Sequence, residues 1–176
     1  MKASFIVLIL LLFVSTQCIA CICTVPSELK ALQEREYEIS SGIFIARVTE
    51  IDFETSSFQF IVLESLKGEN INRKLKGTFK GDCTPSIRHK GKWILYGQFD
   101  NDNIFRINAC GLTRSFKHPY SNIRATKGPP PPPPREPIND SAIKKHKKLT
   151  KKWIKENVPK SKRDLANEIK ELKTKN

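Results

Sequence analysis

Six consecutive prolines, Pro129 to Pro134, divide this chain more sharply than any other feature of its 176 residues. Proline lacks an amide hydrogen and fixes φ, so neither a helix interior nor a central strand can run through the tract. It extends instead as polyproline II, at about 3.1 Å per residue, and residues 128–137 read as a stiff linker. The sequence on either side is therefore read separately, and the two sides differ in charge. Residues 21–134 hold 16 Lys and Arg against 12 Asp and Glu, a net of +4, whereas residues 141–176 hold 13 against 4, a net of +9. The 39% hydrophobic content supports one modest core. It excludes wholesale disorder, and the length excludes a multidomain enzyme.

Residues 1–20 have the pattern of a signal peptide. A basic head, Met1-Lys2, precedes an uninterrupted apolar run of ten residues, Phe5 to Val14. That run is too short to span a bilayer as a helix and has the length of a signal-peptide core. Cys18-Ile19-Ala20 then offers a peptidase site, so the mature chain is expected to begin at Cys21. Export follows, to the extracellular space or to the periplasm of a bacterial source. A retained membrane anchor and a lipid-modified Cys21 are the weaker alternatives. The lipid reading suffers because Cys18 stands where a leucine is expected.

Removing that segment leaves four cysteines, Cys21, Cys23, Cys83 and Cys110. An even number in an exported chain reads as two disulfides, and four cysteines allow three pairings. A Cys21–Cys23 bridge would close a strained ring, which disfavours one pairing and leaves two open. Either one ties the N-terminus to distant parts of the chain, a loop closure worth about 4 kcal/mol. A metal site of the chain's own is not expected. The paired C-x₂-C spacing is missing, and His89, His118 and His146 do not cluster along the sequence.

Residues 21–127 read as one mainly β domain. A short helix is expected over residues 27–38, with Pro26 before it and Ser27 placed to cap. Strands are expected at Gly42–Ile51, Ser57–Leu66, Lys74–Lys80, Lys92–Phe99 and Ile104–Asn108, because these runs are rich in β-branched and aromatic residues. Asp100-Asn101-Asp102-Asn103 is a hairpin signal. Five strands at this spacing suggest a small antiparallel barrel or sandwich. The apolar residues on both faces of the second and fourth strands imply that something covers the outside.

Residues 138–176 read as a basic helical tail. Ile143, Leu149, Trp153, Ile154 and Val158 form an imperfect apolar stripe among lysines, and Pro159 is expected to end that helix. A capping pattern at Ser161-x-x-Asp164 then opens a second helix carrying Leu165, Ile169 and Leu172. Helices this short are marginal in water on their own. One reading gives the tail an anionic partner, such as membrane headgroups, polyanionic glycans or nucleic acid. Lys144, Lys145, Lys147, Lys148, Lys151, Lys152 and Trp153 would be the contact residues. The other reading is a solvated tail that docks loosely. Asn139-Asp140-Ser141 is a glycosylation sequon where the secretory pathway supplies that modification.

No catalytic signature is found. G-x-S-x-G, H-E-x-x-H and phosphate-cradling glycine loops are all missing, so the expectation is a non-enzyme with no cofactor and no small-molecule substrate. Glu34, Glu36 and Glu38 read as a solvated helix face, and His89 between Arg88 and Lys90 as part of a basic surface turn.

The start Cys21-Ile22-Cys23-Thr24-Val25-Pro26 resembles the opening of the tissue inhibitors of metalloproteinases and the wider netrin-like module family. The resemblance continues through Gly42-Ile43-Phe44-Ile45-Ala46-Arg47-Val48, Gly91-Lys92-Trp93-Ile94-Leu95-Tyr96-Gly97 and Asn108-Ala109-Cys110-Gly111-Leu112-Thr113-Arg114, so it covers residues 21–115. It implies an OB-type five-stranded barrel, with Cys21 paired to Cys83 and Cys23 to Cys110. It also implies a mechanism in which the α-amino nitrogen and carbonyl oxygen of Cys21 chelate the zinc of an extracellular metalloprotease and displace its water. Ile22 would enter the neighbouring apolar pocket, and Cys23 and Thr24 would complete the contact strand. Where those inhibitors carry a third disulfide and a cysteine-rich second domain, this sequence has the proline tract and the basic tail.

Overall fold

In a computed structural model of the chain, the described residues are 26, 28–68, 74–81, 83–120, 130–131 and 140–175. The expected signal segment (residues 1–20), Cys21, Ile22, Cys23, Thr24, nearly all of the expected proline linker and the sequon residue Asn139 lie outside them.

Helix α1 (Leu29–Ile39) leads into β1 (Gly42–Asp52), β2 (Ser57–Lys67), β3 (Lys74–Thr78), β4 (Gly91–Phe99), β5 (Phe105–Ile107) and the two-residue β6 (Arg114–Ser115); helix α2 (Asp140–Thr174) closes the described chain. The strands follow the order β1-β2-β3-β5-β4, and β4 pairs back onto β1, which closes a five-stranded barrel; β6 adds to the free side of β4. One part of the expectation is corrected: the barrel is not wholly antiparallel, because β3 and β5 run parallel, Gly77 beside Phe105 and Thr78 beside Arg106. The cause is connectivity. A long connection carries the chain from β3 into β4, and the tight hairpin then returns β5 alongside β3 in the same direction.

The turns explain themselves locally. Asp52 Oδ1 accepts from the amides of Glu54 (2.9 Å) and Thr55 (3.2 Å) at the β1–β2 turn. Asp100 Oδ1 accepts from Asp102 (3.0 Å) and Ile104 (2.9 Å) at the β4–β5 turn. These are the side-chain-to-backbone bonds that make aspartate a turn residue. Where β4 and β5 approach, a Cβ on Gly97 would lie 2.2 Å from the Arg106 carbonyl oxygen, so only glycine lets the two backbones pair there.

Alternation along the strands divides the apolar residues between two cores. Phe44, Ala46 and Val48 of β1, Phe58, Phe60 and Val62 of β2, Trp93 and Leu95 of β4, and Phe105 and Ile107 of β5 fill the barrel, with Phe79 and Ile87 among them. Ile43, Ile45, Ile94 and Tyr96 point outward and join Leu32 of α1, Leu66, Leu112, and Leu165 and Leu172 of α2. The β1–β2 register shifts between Ile43 and Phe44, between Ile45 and Ala46, and between Val48 and Glu50. Such bulges bend a strand and re-aim its side chains, as a barrel of this size requires.

The tail differs from expectation in two respects. Helix α2 runs unbroken from Asp140 to Thr174 with Pro159 inside it. Proline removes one i→i−4 bond, but the following turns are held from outside, because Ser161, Leu165, Glu168 and Leu172 are buried against α1 and the barrel. Nor does the tail's C-terminal half dock loosely, since it covers the outer faces of β1 and β4. No helix among the described residues is long and apolar enough to cross a membrane.

Candidate functional site

Two regions bear on function, and one buried network joins them. The first is the turn that carries Cys110. Its amide donates to the Cys83 carbonyl at 2.8 Å, so the two cysteines sit side by side, and both are disulfide-bonded. Cys110 adopts a left-handed φ of 57°, and the Gly111 amide closes the turn on the Asn108 carbonyl at 3.2 Å. Helix α1 packs onto this turn. Asn108 Nδ2 and the Leu112 amide donate to Glu36 Oε2 at 3.2 and 3.4 Å, and a Cβ on Gly111 would sit 2.5 Å from that same oxygen. Glu36 is therefore no solvated helix residue but fully buried, which corrects the reading from sequence. Burial pushes its carboxyl above the ordinary carboxylate range, with the bonds from Asn108 and Leu112 opposing, and its Oε1 has no hydrogen-bond partner among the described residues. The helix that follows Pro26 is thus fixed to the turn that bears one of the oxidised cysteines.

The network continues from β6 into α2. Arg114 Nη1 and Nη2 donate to Glu168 Oε1 and Oε2 at 3.1 and 2.7 Å, a bidentate pair whose side chains are 0% and 2% exposed. Tyr96 Oη and Gln33 Nε2 also donate to Glu168, and Arg114 Nη1 reaches the Leu112 carbonyl at 3.0 Å. Burial, then the Glu168 charge, holds the Tyr96 phenol well above its usual range, so it stays a donor. A buried carboxylate with this many donors satisfies the condition under which an ion pair survives away from water. Its chemistry is structural, since it clamps α1, β4, β6 and α2 together.

The second region is the N-terminal half of α2. Lys144, Lys145, Lys147, Lys148, Lys151 and Lys152 are all exposed. Trp153 is not; it is 7% exposed and meets Tyr120 edge-on with ring centroids 5.0 Å apart. Its indole therefore serves an internal contact, and Trp153 leaves the set of candidate surface residues. Trp153 is buried here, and Ile143, His146, Thr150, Asn157 and Val158 are half-buried, while Leu149 and Ile154 face solvent. The apolar stripe read from the sequence is thus split, with Ile143, Trp153 and Val158 at least half-buried and Leu149 and Ile154 exposed.

The histidines also differ from their spacing. His89 and His118 lie with ring centroids 5.4 Å apart, between Trp93 on one side and Tyr120 on the other. His89 bonds the Lys90 carbonyl and the Ser115 hydroxyl, each at 3.0 Å. Burial, followed by the nearby His89 and Lys117, lowers the His118 pKa. Among the described residues, no group of three or more His, Cys, Asp or Glu could hold a metal ion.

The sequence held a signal for this network. Trp153, Asn157, Ser161, Leu165, Glu168 and Leu172 repeat every three or four residues, so they form one helical face. Polar members hide that face from any search for apolar residues alone. No known family model matches the chain, and no curated protein matches it.

Proposed function

We propose that the chain is an exported netrin-like module with an OB-type barrel, and that its mature N-terminus at Cys21 inhibits an extracellular zinc metalloendopeptidase. One observation carries the reading. Cys83 and Cys110, distant in sequence, stand side by side on the connections that follow β3 and β5, both oxidised. That is the seat which an N-terminal Cys-x-Cys would need if Cys21 joins Cys83 and Cys23 joins Cys110. The closed order β1-β2-β3-β5-β4 with its parallel β3–β5 contact supports the OB-type assignment.

The chemistry is that of a preorganised chelate. An α-amine has a reference pKa of about 7.7–8.0, so a useful share is neutral near pH 7 and can bind zinc. With the Cys21 carbonyl oxygen, it would take the positions from which the protease activates water. Ile22 would fill an apolar specificity pocket, and Cys23 and Thr24 would lie along the cleft. Two disulfides in three residues would hold this wedge rigid and reduce the entropy lost on binding. The chain would perform no reaction of its own and need no cofactor.

The test is residual activity of a panel of zinc endopeptidases titrated with the mature protein and with a version extended by one N-terminal alanine. Inhibition by the mature form alone is expected. Inert behaviour of both, or equal inhibition by both, removes the chelation mechanism.

A second reading is favoured by the exposed lysines of α2, through which the module would attach to an anionic surface. Salt-sensitive retention on an anionic matrix, lost when residues 138–176 are removed, is its expected signature.

A further inference from the structure

We infer that the outer face of α2 is a docking ridge for a linear sulfated glycan, a proposal that rests on the anionic-surface reading above. Lys144, Lys148, Lys151, Lys155 and Lys162 succeed one another at intervals of four, three, four and seven residues. Those intervals place them in one row along a single face, about 27 Å long at 1.5 Å per residue. All five are exposed, and among the described residues none of them has an ion-pair partner. Residues 144–163 hold ten Lys and Arg against one acid, Glu156, which lies beside Lys152 at 3.9 Å. The row is also held in place before any ligand arrives. Trp153 packs on Tyr120, and Glu168 and Leu165 anchor the following turns, so the ridge needs no coupled folding.

The same geometry selects among anionic partners. A helix that lies in a membrane surface needs a continuous apolar face. Here Trp153 is buried, and the exposed Leu149 and Ile154 are five residues apart, about 140° around the helix. Single-stranded nucleic acid needs exposed rings on which bases stack, and the rings of α2 are that buried indole and the half-buried imidazole of His146. A duplex groove would have to admit α2 with clear flanks, yet the barrel backs its C-terminal half. A sulfated glycan requires none of these things. It needs a row of accessible positive charges on one side, which the five lysines supply.

The experiment titrates the full mature chain at about 50 and 200 mM salt with four probes: a heparin-derived oligosaccharide, the same chain desulfated, phosphatidylserine vesicles, and single- and double-stranded oligonucleotides. Lys148→Gln/Lys151→Gln/Lys155→Gln is compared with Lys74→Gln/Lys76→Gln/Lys80→Gln, which removes equal charge from the β3 region. The ridge variant should lose about tenfold or more in affinity for the sulfated oligosaccharide, and its salt slope should fall by roughly three, one per lysine. The β3 variant and desulfation serve as opposite references: the first should match wild type, the second should abolish binding. Equal losses in the two variants would show diffuse charge and overturn the ridge. Tighter binding to vesicles or oligonucleotides would overturn the glycan while sparing the anionic-surface reading. Failure to bind any probe would remove both.

Discussion

The barrel interior and the seam beneath α2 share strands β1 and β4, yet they are built from opposite materials. Inside, rings pack on rings: Phe44, Phe60 and Phe105 lie with centroids 5.3 to 6.4 Å apart, without a polar atom among them. Outside, Ile43, Ile45 and Ile94 surround a carboxylate, a guanidinium and a phenol. The interior needs only volume and shape, so many apolar sequences would satisfy it. The seam needs particular donors at particular places, because an unpaired charge there is costly. The first provides stability, and the second fixes where and in what register the helices dock.

Two substitutions of similar expected cost separate these roles. Phe60→Ala should destabilise the fold by about 3–5 kcal/mol through lost transfer energy and a cavity. Glu168→Ala should cost about 3–5 kcal/mol for another reason, since it strands the Arg114 guanidinium in a dry site. The distinction appears on rescue. Arg114→Met combined with Glu168→Leu should recover part of the Glu168→Ala loss, because an apolar pair removes the charge desolvation penalty while the buried Tyr96 phenol still lacks its acceptor. Urea unfolding of the three proteins measures this. A Glu168→Ala loss below about 1 kcal/mol would mean that the pair does not hold the seam.

Pro159 offers a gentler test within α2. It is exposed, and it deprives the Lys155 carbonyl of its helical partner. Pro159→Ala should therefore stabilise the protein by about 1–3 kcal/mol and slow amide exchange around residues 155–160. Unchanged stability would indicate that the seam depends on a bend at this proline.

This contrast also explains what could be read in the sequence. Strand residues such as Phe58, Phe60 and Val62 advertise their position by alternation, and Asp52 and Asp100 mark their turns, so the five barrel strands were legible. The apolar residues on both faces of β2 and β4 called for an outer cover, which β4 has and β2 has only in part, since its Leu63 is exposed. The cover itself was hidden. Glu168 does not look like an interface residue until Arg114, 54 residues away, is placed against it. Pro159 misled for a related reason, because local propensity ends a helix there and only tertiary packing overrides it. The parallel β3–β5 contact depends on closure of the whole barrel, which no local pattern encodes. His89 and His118 likewise meet only through the pairing of β4 with β6.

The smallest expected effect concerns Glu36, where the seam's material reaches the cysteine-bearing turn. Burial raises its pKa above the ordinary 4.5. Between that value and the raised one, the folded protein keeps a proton that the unfolded chain has released, so stability falls as pH rises through the window. Glu36→Gln keeps an oxygen to accept from Asn108 and Leu112 but removes the titration. The stability of the variant relative to wild type should therefore increase from about pH 4.5 upward and level off once wild-type Glu36 is ionised. Exposed Asp52 and Glu171 and half-buried Asp100, whose pKa values hydrogen bonds lower, titrate in both proteins and cancel in the difference. Urea unfolding at unit steps from pH 4 to pH 8 measures the curve. A pH-independent difference would mean that Glu36 is not the buried acid joining α1 to the Cys110 turn, and the polar seam would then end at Glu168.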